Sequence, residues 1–141
     1  MDRTPRATRS RGSAELTFLS VQDGYDAPMK YLVFIYGKAG GSSPEKQLQG
    51  LRDLTKLKDE LARSGELVSA EGLTLPGDGR IVQVRGGERV VTDGPFGEAK
   101  EQLAGFFMVD VVDDERAQQL AARVSAVVDD RVELRGTVLS G

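Results

Sequence analysis

Four residue types are absent from the 141-residue chain: cysteine, histidine, tryptophan and asparagine. Without cysteine there is no disulfide, no thiolate nucleophile and no zinc–thiolate site. Without histidine, Ser-His-Asp and Cys-His catalysis and imidazole metal ligation are excluded. Without asparagine, N-glycosylation is excluded. No apolar run approaches the roughly 20 residues that a membrane-spanning helix needs. An excess of positive charge is lacking as well. Against 22 acidic residues stand 19 basic ones, a net charge of −3, which is a poor match to a general electrostatic nucleic-acid binder. What remains is 39% apolar and 29% charged residues. That is the composition of a globular chain, and the length fits one domain at about 100–200 residues per domain.

The first 28 residues read differently from the rest. Arg3, Arg6, Arg9 and Arg11 face only Asp2, and the single short apolar run is Leu16 to Leu19. No apolar segment of signal-peptide length follows the arginines, and Pro5 and Gly12 oppose an amphipathic targeting helix. Residues 1–28 are expected to be a poorly ordered N-terminal extension, either a solvated basic tail or an upstream extension caused by start-codon choice, since Met29 would itself serve as a start. Residues 29–141 are expected to be the folded domain.

From Met29 the pattern becomes regular. Tyr31 to Tyr36 is a continuous β-branched and aromatic run and reads as a buried strand. Ser43 followed by Pro44 and Glu45 marks a helix start, and Gly65 marks its end. Between them Leu48, Leu51, Leu54, Leu57 and Leu61 recur every three or four residues, an apolar stripe on a helix of about 20 residues. Leu67 to Leu73 reads as a second strand. Ile81-Val82 and Val84 turn at Gly86-Gly87 into Arg89-Val90-Val91, a hairpin. Leu103 to Val112 is a long apolar strand. Asp113-Asp114-Glu115 places acids where a helix macrodipole favours them, and Ala117, Leu120, Ala121 and Val124 give that helix its buried face. Arg131 to Val138 supplies a last strand.

The order β-α-β-hairpin-β-α-β is an α+β, ferredoxin-like arrangement with an inserted β-hairpin. Two helices cover one face of such a sheet. Yet the first strand and Gly105 to Val109 are apolar at odd and even positions alike, where a one-sided sheet should alternate. The second face therefore needs a cover. A second copy packing sheet to sheet is the simplest, and a homodimer is expected.

The chemistry-bearing motifs are sparse. Gly37 to Ser42 has neither P-loop nor dinucleotide-fingerprint spacing and reads as a plain loop. Asp113-Asp114-Glu115 and Asp129-Asp130 lack calcium-loop spacing. No metal and no cofactor are expected. The carboxylates Glu71, Asp93, Glu98 and Glu101 fall at strand ends or in loops, and are the groups left for acid–base work. Asp93-Gly94-Pro95-Phe96 is the most unusual segment: glycine and proline set the backbone and present an aromatic ring in a fixed direction. It reads either as a rigid turn plugging a core or interface, or as a pocket wall with Asp93 as its polar group.

Val91 to Phe96, followed by Glu98-Ala99-Lys100-Glu101-Gln102-Leu103-Ala104-Gly105-Phe106-Phe107, resembles the signature of the YCII-related, or DGPF-domain, proteins. Met29 to Leu32, Glu71-Gly72-Leu73 and the acidic start of the second helix agree, so that the resemblance runs from Met29 to about Val138. It implies a dimeric α+β barrel type of fold in a small bacterial, cytoplasmic protein. The wider family carries a His–Asp pair to which catalysis has been ascribed, and a chain without histidine cannot supply it. The resemblance also implies a genomic setting beside sigma factors of the extracytoplasmic-function class.

Three functional readings follow. The first is a small-ligand-binding or accessory homodimer without robust catalysis, its ligand held by Asp93, Gly94, Pro95, Phe96 and Glu71. The second is an enzyme using carboxylate acid–base chemistry on a small organic substrate, with Asp93 and Glu71 as catalytic candidates. The third is a regulatory partner in a sigma-factor-linked pathway.

Overall fold

The Tyr31-to-Tyr36 run becomes part of one of the two inner strands of a four-stranded sheet. The computed structural model describes residues 30–38, 43–94 and 101–138. Strand β1 is Lys30–Lys38. Helix α1, Pro44–Ser64, starts where the sequence places its signals: the Ser43 hydroxyl accepts from the Lys46 N–H, Pro44 occupies the first turn, and Gly65 closes the helix at φ 82°. Strand β2, Leu67–Gly72, follows directly. After a single 3-10 turn, Pro76–Asp78, come β3, Arg80–Arg85, and β4, Glu88–Asp93. Both glycines between β3 and β4 have positive φ, 60° at Gly86 and 83° at Gly87, the type I′ geometry that matches the twist of a hairpin. Strand β5 is Glu101–Asp110, helix α2 is Asp114–Val128 and strand β6 is Glu133–Gly136. The Asp113 side chain caps α2 by accepting from the Arg116 N–H.

One sheet has four strands in the order β2-β5-β1-β6, and β3 and β4 form a separate two-stranded ribbon. Every neighbouring pair is antiparallel. Strands β1 and β2 therefore run parallel with β5 between them, and β5 and β6 run parallel with β1 between them. Each helix crosses over one strand of the other unit.

Both helices pack on one face. The core joins Tyr31 and Val33 of β1, Phe107 and Val109 of β5, Leu57 and Leu61 of α1, and Ala117, Leu120, Ala121 and Val124 of α2. The α2 residues are those that the helical spacing names. Burying the valine, leucine and phenylalanine side chains among them stabilises by about 1.5–3 kcal/mol each, and this face supplies most of the apolar burial.

Three expectations are corrected. The α1 stripe is not buried along its length: Leu57 and Leu61 are in the core and Leu54 packs at its margin, whereas Leu48 is 50% and Leu51 61% exposed. The core lies under the C-terminal half of α1, and a helix of 21 residues overhangs it. The fifth strand starts at Glu101 and ends at Asp110, because β1 pairs with it as far as Lys38 and Asp113 has left to cap α2. The last strand is only four residues long, since Arg131 and Val132 are still leaving the helix end.

Candidate functional site

The ladder registers settle which side chains share the helix-free face. Val33 pairs with Phe107 and Leu134, all on the helix side. The alternate positions form two cross-strand rows on the other side. One runs Glu71, Phe106, Phe34, Glu133 from β2 to β6, and the next runs Ser69, Met108, Leu32, Arg135. With strands about 4.8 Å apart, the two carboxylates of the first row are roughly 14 Å apart across the sheet. Phe34, Phe106, Leu32 and Met108 are half-buried, while Glu71, Glu133 and Arg135 are exposed. The helix-free face is thus an aromatic and aliphatic centre with charged edges.

At one corner of this face the edge side chains organise a cleft of about 210 Å³, lined by Tyr36, Glu101, Arg131, Val132 and Glu133. The β1 ladder carries a bulge between Ile35 and Tyr36, which shifts Tyr36 relative to the rows above. Its hydroxyl donates to Glu133 Oε1 at 2.8 Å. That hydrogen bond, with burial adding to it, raises the Tyr36 pKa above the usual phenol value. Arg131 Nη2 lies 3.3 Å from Glu101 Oε1. Two carboxylates therefore share the cleft with one guanidinium. On the helix side of β6 a second hollow of about 300 Å³ lies against Ala121, Ala122, Ser125, Val132 and Leu134, with Arg131 bordering both.

The residues singled out from the sequence are placed unevenly. Glu71 is exposed on β2 at the end of the aromatic row. Asp93 is the last residue of β4, opposite Arg80, and is also exposed. Gly94 has φ 103° and its N–H donates to the Gly79 carbonyl at 3.0 Å, so the backbone freedom expected of this glycine is used to tie the end of β4 to the start of β3. Pro95, Phe96 and Glu98 lie outside the described residues, as does the loop at 39–42. No hydrogen bond or ion pair joins Glu71 to Asp93 among the described residues. Glu101, one of the four carboxylates read from the sequence, does reach a cleft, but its companions Tyr36, Arg131 and Glu133 were not anticipated. A signal for two of them was present. In Arg131-Val132-Glu133-Leu134-Arg135 charged and apolar residues alternate, which puts the three charges on one side of a strand.

No group of three or more aspartate or glutamate side chains among the described residues could hold a metal ion, and no helix among them is long and apolar enough to cross a membrane.

The chain is 30% identical to a protein of Rhizobium meliloti (strain 1021) over 100 residues, 69% of this chain and 81% of that one. That relative is itself described only as uncharacterised. The YCII-related domain matches residues 29–136, a span that begins one residue before β1 and ends on the last residue of β6. Both helices, the hairpin, the aromatic row and the corner cleft all fall within it, and the chain belongs to the YCII-related family.

Proposed function

We propose that the protein is a homodimeric small-ligand-binding or accessory protein, with a ferredoxin-like fold whose helix-free sheet face is covered by a second copy. The observation that carries this reading is the row Glu71, Phe106, Phe34, Glu133 with Leu32 and Met108 beside it. An apolar sheet face of this kind on a single chain marks an interaction surface. A twofold axis lying along the strands would lay the β2 edge over the β6 edge, so that the apolar centre of each copy covers that of the other. The ferredoxin-like reading is supported by the strand order and by the interleaving of the two crossover units.

The ligand is proposed to be held at the rim of that interface, with Glu71 and Asp93 as its polar groups. Glu71 and Asp93 are both exposed, and no hydrogen bond or ion pair joins them among the described residues, so binding is preferred to catalysis.

Native mass spectrometry on freshly purified protein tests both parts. The expected result is a dimer carrying extra mass from a retained small molecule. A monomer overturns the covered-face reading. A dimer that carries no mass and takes up none from a metabolite library overturns the ligand.

A further inference from the structure

Strands β3 and β4 pair only with each other among the described residues, so both outer edges of the ribbon are open there. A two-stranded ribbon is marginally stable by itself in water, and this one exposes Val82, Val84 and Val91. The Gly94 N–H donates to the Gly79 carbonyl at 3.0 Å, which sets the phase of the ladder. Hydrogen-bonded pairs alternate along an antiparallel register, so Ile81 with Thr92, Gln83 with Val90 and Arg85 with Glu88 are the bonded pairs. Arg89, Val91 and Asp93 therefore turn their backbone N–H and C=O groups outward, along the free edge of β4. Their side chains share one face with Val82 and Val84, which stand opposite Val91 and Arg89.

Open edges are commonly guarded by proline, a bulge or a charge that repels a second strand. The β4 edge has no proline and no register shift, and its two outward charges are of opposite sign. Arg89 and Asp93 lie two residues to either side of Val91, and neither side chain has a hydrogen bond or ion pair among the described residues. A twofold axis through Val91, normal to the ribbon, sets Val91 against Val91 and Arg89 against Asp93 on both sides of it. The same rotation brings the outward backbone donors of each copy to the acceptors of the other. The β3 edge offers no such match, because its only charges are Arg80 and Arg85. The symmetry of charge and hydrogen bonding belongs to β4 itself and selects a second copy as its occupant.

We propose that the outer edge of β4 is a homotypic docking strand, along which two copies join antiparallel with Val91 on the twofold axis and Arg89 facing Asp93 of the partner subunit. The product is a four-stranded sheet with Val82 and Val91 of both copies in one row. Three facing pairs make a small contact, so the association is weak and belongs to concentrated protein. It uses the ribbon alone and does not rest on the covered-face dimer proposed above. Where that dimer forms as well, the β4 edge joins dimers into larger assemblies.

A chain without cysteine makes the register testable by thiol crosslinking of the full-length protein. Val91→Cys puts one thiol at the axis, where the α-carbons of a bonded pair are about 5.5 Å apart, and dibromobimane, a short reagent for two thiols, should link two copies. Val84→Cys is more exposed, 72% against 47% at Val91. It lies at least three strand spacings, roughly 14 Å, from its counterpart and should not link. Within the Val91→Cys chain, Arg89→Glu sets two acids opposite each other and Asp93→Lys sets two cations opposite each other. Each should lower the linked fraction about tenfold or more, since symmetry reverses both charge pairs at once. In an equal mixture of the two every facing pair is again of opposite charge, and the link should return between unlike copies, distinguished by mass. A variant whose ribbon had merely unfolded could not be rescued in this way. No link through Val91→Cys, an equal link through Val84→Cys, single variants that link like their parent, or a mixture that stays unlinked overturns the proposal. A dimer in native mass spectrometry without a Val91→Cys link overturns it while leaving the covered face standing.

Discussion

Gly105 of β5 lies so close to Glu71 of β2 that a β-carbon at Gly105 would stand 2.7 Å from the Glu71 carbonyl oxygen and 3.4 Å from the Gly72 α-carbon. Both obstacles are backbone, and both are held by the β2–β5 ladder. A glycine inside an otherwise apolar run is therefore what lets β2 approach β5 where Glu71 presents its side chain. Gly105→Ala is expected to destabilise the fold by about 1–3 kcal/mol as the strands move apart, read as a lower midpoint in urea denaturation.

Phe106 and Phe107 are neighbours in sequence with opposite fates. Phe107 is 4% exposed in the core beneath the helices, and Phe106 is half-buried on the helix-free face. Phe107→Glu places a charge in the core and should leave the chain unfolded by circular dichroism. Phe106→Glu should leave it folded but reduce a dimer to a monomer in light scattering. A Phe106→Glu protein that stays dimeric would move the interface elsewhere.

Arg116 grips Glu66 through two hydrogen bonds, Nε to Oε2 at 2.8 Å and Nη2 to Oε1 at 3.0 Å. They tie the start of α2 to the junction of α1 and β2. Chiefly through these bonds, and against an opposing push from burial, the Glu66 carboxyl is held below its ordinary value of 4.5. Below that value the unfolded chain binds more protons than the folded one, so the stabilisation is fully present above it and is lost as the pH falls through the folded-state pKa. Glu66→Gln is expected to lower the melting temperature by roughly 2–4 °C at neutral pH. The two proteins should converge at acidic pH, where Glu66 is protonated in both states.

Glu71→Gln and Asp93→Ala alter exposed side chains with no hydrogen-bonded partner among the described residues. Each should change stability by less than about 0.5 kcal/mol. Any small molecule that the native protein retains should be lost from both variants in native mass spectrometry. Retention in both would remove these residues from the site.

Local signals were the most legible. Ser43, Pro44 and Gly65 bound α1, Gly86-Gly87 turns the hairpin, and the α2 spacing names four core residues, because each of these features is decided within a few residues. The double-sided apolar character of β1 and β5 also announces a sheet with apolar groups on both faces. Two things were not legible. Whether Leu48 and Leu51 are covered depends on where α1 ends relative to the sheet, and helical spacing carries no information on that. The corner cleft joins Tyr36 to Glu133 across 97 residues of chain. It depends on β6 returning beside β1 and on a bulge that no single-strand pattern reveals.

The return of β6 to β1 also bears on how the protein is made. On a ribosome β1 emerges first among the six described strands, yet its two hydrogen-bonding neighbours are the last two of them to be synthesised. Through most of translation the inner strand has both edges bare, and its Tyr31-to-Tyr36 run is the kind of segment that seeks strand partners in other chains. The nascent chain is therefore most exposed to aggregation until residues 133–136 clear the exit tunnel, and a message truncated after α2 would yield a product whose inner strand stays open along one side.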